Sequence, residues 1–455
     1  MPTQRLPYIP DLLKLHSAFP QRFPSLLESS LRHQDTGRYD ILLALPGEAL
    51  VLQNNQCHGP GSDQNTKFLD ALDAWFKRET CAPESADDLS PFCGGWLIYL
   101  GYELAGQIEP QLRLPAPCDP LPTALALRCR GAIIIDRQVG QAYAVAETRD
   151  ELAGLVEAAG AALPPQNPQS ITLASCSEDD AADYLSAVTR TIAYIREGDV
   201  FQVNLSRAWQ GQFESPIAPA TLYARLRQAN PGPFSGALHW QGQSVLSTSP
   251  ERLLKLEGGR AQTRPIAGTR PRFRDHQQDT ASSAELIIHP KERAEHVMLL
   301  DLERNDLGRI CRPGTVRVDE MMVIESYTHV HHIVSNVCGE LRPEVTPGKA
   351  IAAVFPGGTI TGCPKVRCME IIAELEGEGR GFYTGALGYL GRDGRMDLNI
   401  LIRTLWTDGS QWRLRTGGGI VADSVPEREL AETRAKAKGL LLGLGAPIDG
   451  ELWNH

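Results

Sequence analysis

No stretch of this chain approaches the ~20 consecutive apolar residues that a membrane-spanning helix needs. The opening residues, MPTQRLPYIPDLLKLHSAFP, also lack the basic-then-apolar profile of a signal peptide, so a soluble, cytoplasmic protein is expected. Positive charge is in deficit: 45 Lys and Arg stand against 55 Asp and Glu, a net charge of −10 that argues against a nucleic-acid footprint. The ten cysteines contain no C-x-x-C pair, which disfavours a zinc knuckle or a disulfide framework and leaves buried free thiols as the expectation. The phosphate-loop spacing G-x-x-x-x-G-K-[ST] is missing. RTGGGIVADS (415–424) formally matches G-x-G-x-x-A, but the next helix is expected to be capped at Ser424, so its glycines do not open that helix as a dinucleotide site requires. No cysteine sits in a G-x-C-x-G elbow, so a glutaminase module is not expected either.

What is present is a long mixed chain. At 455 residues it is too long for one simple core, and two domains or one large interlocked body are expected. Strand-like runs (ILLAL, GAIIID, QAYAVAE) and an Ala-rich helix over 148–162 lead to LPPQNPQS (163–170), the best linker candidate. The boundary divides an N-terminal region, 1–165, from a second region, 177–455. Beyond it helices alternate with strands (FQVNLSRAW, SVLSTS, GALGYLG, DLNILIRTLW, QWRLRTG) at spacings too short for parallel crossovers, which predicts antiparallel hairpins.

Two helices carry matching acid pairs near their starts. HPKERAEHVMLLDLERNDLG (289–308) places Glu292 and Glu295 three residues apart on one face, with Pro290 in the first turn. DSVPERELAETRAKAKGLLLG (423–443) repeats the design with Glu429 and Glu432, Lys436 one turn further on, and a capping box expected between Ser424 and Glu427. Acids there commonly do no more than offset the helix dipole. Should the two pairs converge, four carboxylates need a cation, and Mg²⁺ suits an all-oxygen donor set. VFPGGTITGCPK places Thr359 and Thr361 in a loop before a helix, where backbone amides can hold a carboxylate or simply cap a turn. Gly417, Gly418 and Gly419 are expected to expose amides to an anion. His329, His331 and His332 lie in an extended stretch, with a structural or acid/base role preferred to metal binding. The arginines around RPIAGT (264–269) suggest an anion loop or a tight turn.

Together these stretches resemble the chorismate-utilising enzyme family. The likeness is carried by GDVFQVNLS, SPER, RPIAGT, KERAEHVMLLDLERNDLGR, HHIVS, FPGGTITGCPKVRCMEII, MDLNILIRT and GGGIVADSVPERELAETRAKA, in the family's order. It implies an α/β (α+β) fold of two packed, mainly antiparallel β-sheets flanked by helices, with chorismate bound beside Mg²⁺. Glu295 and Glu432 would hold the ion directly, Glu292 and Glu429 through water. Arg403, Tyr389, Thr359 and the Gly417–Gly419 amides would hold the substrate's carboxylates and enolpyruvyl arm, with Thr269 and His332 at the reacting ring and His332 or Glu251 as proton donor. Gln202 stands where water-using members carry a lysine base, which implies ammonia as nucleophile, delivered by a separate glutamine amidotransferase subunit. GRYDI, QVNL, PFSGAL and VHH resemble the aminodeoxychorismate synthase component I branch. Ala267, where that branch carries a nucleophilic lysine, resembles the anthranilate synthase branch, as does LLES (26–29), which there belongs to a tryptophan pocket.

Overall fold

The computed structural model describes residues 1–29, 37–63, 65–81, 90–117, 119–161, 163, 169–273, 275–326 and 330–446. Most of the expected linker, and His329, lie outside these residues. Every pairing between the named strands is antiparallel, and the ladders join into one network with two arms. The arms share two long strands, Tyr39–Gln53 and Ala124–Asp136, paired along most of their length. The second of these, ALALRCRGAIIID, is buried along nearly all of its length, and its lack of polar alternation follows from cover on both faces.

From the shared strands one arm runs through Ser25–Glu28, Phe234–Trp240, Gln243–Ser249, Thr404–Thr407 and Gln411–Ile420 to Gln202–Phe213. The other runs through Gly95–Leu100, Ala386–Gly391, Met396–Ile400, Arg252–Glu257 and Arg260–Arg264 to Val330–Glu340, which also pairs with Ile266–Pro271. Both arms therefore take strands from either side of residues 163–170.

The arms pack face to face over a shared core in which Leu43, Leu238, Val245 and Trp406 meet Leu97, Tyr99 and Leu387. Helices cover the outer faces. Pro219–Ala229 and Pro426–Gly443 pack on the first arm through Leu222, Leu226, Ala437 and Leu440. Phe68–Glu79, Pro347–Val354 and Pro290–Gly308 pack on the second through Phe68, Leu72, Ile351 and Leu300.

Two departures from the sequence reading matter for the site. The run DLNILIRTLW is not one strand: it breaks after Ile400 and resumes at Thr404, with Arg403 in a left-handed conformation at φ 51°. The strand on one side of this break belongs to the second arm and that on the other to the first. The expected capping box at Ser424 does not form. The helix starts at Pro426 with Val425 as N-cap, because the Ser424 hydroxyl instead donates to Glu429 Oε1 at 2.6 Å and accepts from the Val421 amide at 3.1 Å.

Candidate active site

The chain crosses between the arms at 249–252 and again at 400–404, and the crossings lie side by side, with the Ile400 amide donating to the Glu251 carbonyl at 3.0 Å. Each carries one functional side chain. In SPER, the Ser249 hydroxyl donates to the Ile400 carbonyl at 2.6 Å and accepts from the Glu251 amide at 3.2 Å, a local turn that buries Glu251 to 4 % exposure. Burial pushes the Glu251 carboxyl up to about 8, and the nearby Glu303 adds to this, while the Thr359 hydroxyl, the Ile266 amide and Arg403 oppose it. Glu251 is therefore a protonated acid at neutral pH. At the other crossing, the Arg403 carbonyl is pinned by the Thr248 amide and hydroxyl, both at 3.1 Å, and its guanidinium extends to His332.

Within RPIAGT, Arg264 ends the strand Arg260–Arg264 and Ile266 opens the edge strand Ile266–Pro271, with a bulge at Gly268: Ala267 pairs with Ile333 and Thr269 with His332. Gly268 has φ 67°, and a Cβ there would come within 2.9 Å of Glu292 Oε2, so the position needs glycine. Its carbonyl accepts from His332 Nδ1 at 3.3 Å, and Arg403 Nη2 approaches His332 Nε2 at 3.4 Å. These partners assign the proton to Nδ1 and the lone pair to Nε2. Burial, and then Arg403, push His332 down to about 3. At neutral pH Glu251 therefore holds a proton and His332 does not. Ala267 lies between the Ile266 amide that faces Glu251 and the Gly268 carbonyl that binds His332, and it brings only a methyl group. The Thr269 side chain lies outside the described residues.

The three glycines do not form a loop after a strand, as expected, but sit inside Gln411–Ile420. Beyond Leu414 the neighbouring strand Thr404–Thr407 ends, so Gly417–Gly419 pair only with Gln202–Phe213 and keep one strand-free edge. Their faces alternate. Gly417 and Gly419 lie against Asn204 and Gln202, where a Cβ at Gly419 would overlap the Gln202 amide, while Gly418 faces Glu429 and Glu432 at 3.4 and 3.5 Å from its Cβ position. Lys436 Nζ donates to the Gly417 carbonyl at 2.8 Å, pairs with Glu432 at 2.7 Å, and is among the charges that depress His332. Glu292, on the other side, pairs with Arg270 at 3.2 Å. One acid of each pair thus reaches the His332 region, Glu292 beside Gly268 and Glu432 beside Lys436. Their carboxylates suit a hard divalent cation in kind. Among the described residues, however, no three acids, histidines or cysteines converge as a ready-made metal group. Holding an ion would require Glu292 and Glu432 to exchange Arg270 and Lys436 for it.

The other sequence expectations divide. Thr359 is at the site, its Oγ1 buried without a hydrogen bond of standard geometry and facing Glu251. Thr361 is not available, since its hydroxyl donates to the Gly357 carbonyl at 2.9 Å to close the turn. His331 points to the opposite face from His332, toward Ser326 and Asp279 at 2.7 and 3.0 Å. The RPIAGTRPR arginines do not form an anion loop: Arg264 is held by Glu320 and Glu325, Arg270 by Glu292, and Arg272 by Asp279.

Tyr389 is not brought to the site. It packs edge-on against Phe92 at 5.9 Å and lines a separate cavity of about 320 Å³ with Leu27, Glu28, Ser29, Pro233 and Phe234. Six residues earlier, Tyr383 comes nearer through its neighbours Arg380 and Tyr184. It is buried, lies 5.6 Å from the Arg380 guanidinium, and is an electrostatic neighbour of Tyr184, which also faces Glu429 and Glu432. Arg380, likewise missed, is 1 % exposed and donates to Glu376 at 2.6 Å and to the Asn204 and Ile360 carbonyls at 2.7 and 3.0 Å. The G-R-G-F-Y spelling before the strand was the available signal, but nothing local distinguishes Tyr383 from Tyr389.

The profile of a family described as "chorismate binding enzyme" matches residues 26–442. Anthranilate synthase component 1 of Thermus thermophilus is 42 % identical over 442 residues, covering 94 % of this chain and 93 % of that protein. Aminodeoxychorismate synthase component 1 of Bacillus subtilis is 42 % identical over 381 residues, covering 81 % and 80 %. The crystal structure of anthranilate synthase component I from Streptococcus pneumoniae superposes with a TM-score of 0.80 at 29 % identity, covering 90 % of this chain and 95 % of that one. Profile, relatives and architecture agree that this chain belongs to the chorismate-binding enzyme family.

Proposed function

We propose that the chain is component I of an aminodeoxychorismate synthase, which aminates chorismate with ammonia supplied by a glutamine amidotransferase subunit. Gln202 carries the amination part of this reading, which anthranilate synthases share. The strand position where a water-activating lysine would stand holds a neutral amide, buried against Gly419, that cannot serve as a base. The choice of the aminodeoxychorismate branch rests on the four sequence stretches that resemble it, GRYDI, QVNL, PFSGAL and VHH.

Ammonia adds at C2, both ring double bonds shift, from C1=C2 to C1=C6 and from C5=C6 to C4=C5, and the C4 oxygen departs as water with the Glu251 proton. The attacking nitrogen sheds one proton, giving 2-amino-2-deoxyisochorismate. A second ammonia at C4 then expels the C2 amine and gives 4-amino-4-deoxychorismate. Ala267 offers no nucleophile, so no covalent adduct forms at that position. Arg403 and Lys436 supply the positive charge for the substrate's carboxylates. Mg²⁺ is the cation we assign to Glu295 and Glu432 directly and to Glu292 and Glu429 through water; when bound it polarises the C1 carboxylate. Calorimetric Mg²⁺ titration of the chain and of Glu432→Gln tests this assignment, and equal affinities refute it.

Anthranilate synthase component I is the second reading, favoured by Ala267. On either reading the 320 Å³ cavity beside Leu27, Glu28 and Ser29 is the place for a tryptophan-type effector. The deciding experiment incubates the chain with chorismate, ammonium and Mg²⁺ and identifies the product by chromatography and mass spectrometry. 4-Amino-4-deoxychorismate supports the first reading; fluorescent anthranilate with pyruvate replaces it by the second.

A further inference from the structure

Beside Glu251 lies a second buried carboxyl that the chemistry above does not use. Glu303, on the helix Pro290–Gly308, is 6 % exposed. The same two segments hold both side chains. The Thr359 hydroxyl and the Ile266 amide meet Glu251, while the Thr263 hydroxyl and the Gly358 amide meet Glu303. Gly358 and Thr359 are consecutive in one turn, and Thr263 and Ile266 belong to consecutive strands. The Cβ position of Gly358 lies 3.6 Å from Glu303 Oε1, which sets that turn against the carboxyl. The charge of Glu303 reaches Glu251.

The nearest cation is committed elsewhere. Lys365, at the start of the helix Lys365–Glu376, donates to Asp306 Oδ2 at 2.5 Å and to the Val354 carbonyl at 3.1 Å. Asp306 lies in the last turn of Pro290–Gly308, where the helix dipole opposes a negative charge, and Lys365 and Arg309 offset this. Arg264, next to Thr263, is taken by Glu320 and Glu325. Arg403 faces Glu251. Among the described residues, Glu303 thus forms no ion pair of its own. A buried acid retained for stability is normally paired, because two neutral donors do not repay the desolvation of a carboxylate.

Burial and Asp306 push Glu303 up to about 7, with Lys365, Thr263 and the Gly358 amide opposing. Glu251, at about 8, ionises after it. Like charges held close together are lost as protons in two separate steps, the first charge opposing the second. Between those steps the pair carries one proton, on the carboxyl that faces Arg403.

We propose that Glu303 is the positioning residue of the proton donor: its carboxylate keeps the proton on Glu251 until the C4 oxygen takes it. This rests on Glu251 as the donor in the amination above. Once Glu251 has given up its proton, two negative charges stand together. The pair then takes up a proton before the next turnover, and the attacking nitrogen releases one.

The test follows kcat from about pH 6 to about pH 9.5 at saturating chorismate, ammonia and Mg²⁺. Beside it, infrared titration of the unliganded chain follows the protonated carboxyls. In the parent, two buried carboxyls should lose their protons in succession, near 7 and near 8. Glu303→Gln keeps the size and removes the charge. Its alkaline limb should move about one pH unit lower, a roughly tenfold loss of kcat near the alkaline end with little change near the acid end. Glu303→Asp keeps the charge and should keep the limb in place. Glu303→Met is read beside Glu303→Gln, so the outcome does not hang on one variant folding. A charge-free variant whose kcat is unchanged, or falls equally at every pH as lost packing alone would cause, overturns the proposal. So does a limb that moves as far in Glu303→Asp. A parent chain that forms no aminated product refutes the amination reading instead. The infrared titration still shows whether Glu303→Gln lowers the Glu251 midpoint, so the two failures are distinguishable.

Discussion

Replacing Glu251 by glutamine separates what this carboxyl does for chemistry from what it costs the fold. The substitution keeps the size of the side chain and leaves groups for the Thr359 hydroxyl and the Ile266 amide to meet, but it removes the ionisable proton. With the carboxyl held at about 8, roughly nine chains in ten carry that proton at pH 7. Without it the leaving hydroxyl has no acid, and kcat should fall about 10²–10⁴-fold.

Stability should move the other way. The folded-state pKa is raised, so the folded chain retains a proton that the unfolded chain releases above its ordinary value of 4.5. Stability is therefore lost as pH rises from about 4.5 toward 8. At pH 7 this loss amounts to about 3.5 kcal/mol, the product of ~2.5 pH units and ~1.4 kcal/mol per unit. Glu251→Gln should thus unfold at higher urea concentration than the parent at pH 7, and the gap should close near pH 4. At saturating ammonia, the parent's kcat should fall as pH passes 8, and the residual activity of the variant should show no such limb. A variant within tenfold of parent activity that keeps the limb would refute the assignment of the proton to Glu251.

Three further outcomes follow from the same geometry. His332 should not titrate between pH 5 and 8 when followed by NMR of ring-labelled histidine, because burial and Arg403 hold it near 3; a titration close to 6.5 would mean that the ring is solvated. Intact-mass spectrometry of the chain quenched during turnover should give the unmodified mass, and a chorismate-derived increment on any lysine would refute the non-covalent route. Arg380→Gln should lower unfolding free energy by about 3–5 kcal/mol in urea melts, since it removes one partner of a buried ion pair with Glu376; a loss under 1 kcal/mol would show that Arg415 alone suffices for Glu376.

Much of the site was legible because its signals are local. Helical spacing places Glu292 with Glu295 and Glu429 with Glu432 regardless of what lies beyond the helix. The identities of Gln202 and Ala267 exclude a base and a nucleophile without any structure. Short spacings between strand runs likewise predicted antiparallel hairpins, and period-two alternation puts His331 and His332 on opposite faces. Local spelling failed where two residues look alike: Tyr383 and Tyr389 flank the start of one strand, yet one neighbours Arg380 and Tyr184 and the other lines a separate cavity.

The sequence by itself determined the inventory: two acid pairs, a neutral amide, a methyl in place of an amine, and a glycine triplet. Tertiary structure alone decided their states. Glu251 is an acid because two adjacent chain crossings, about 150 residues apart in sequence, bury it among Thr359, Glu303 and Arg403, and desolvation is a property of that assembly. His332 is neutral for the same reason, and the RPIAGT arginines are neutralised by acids from the helices and strands that pack on them. Charge and spacing are written along the chain, whereas dielectric and partnership arise only once distant segments exclude water together.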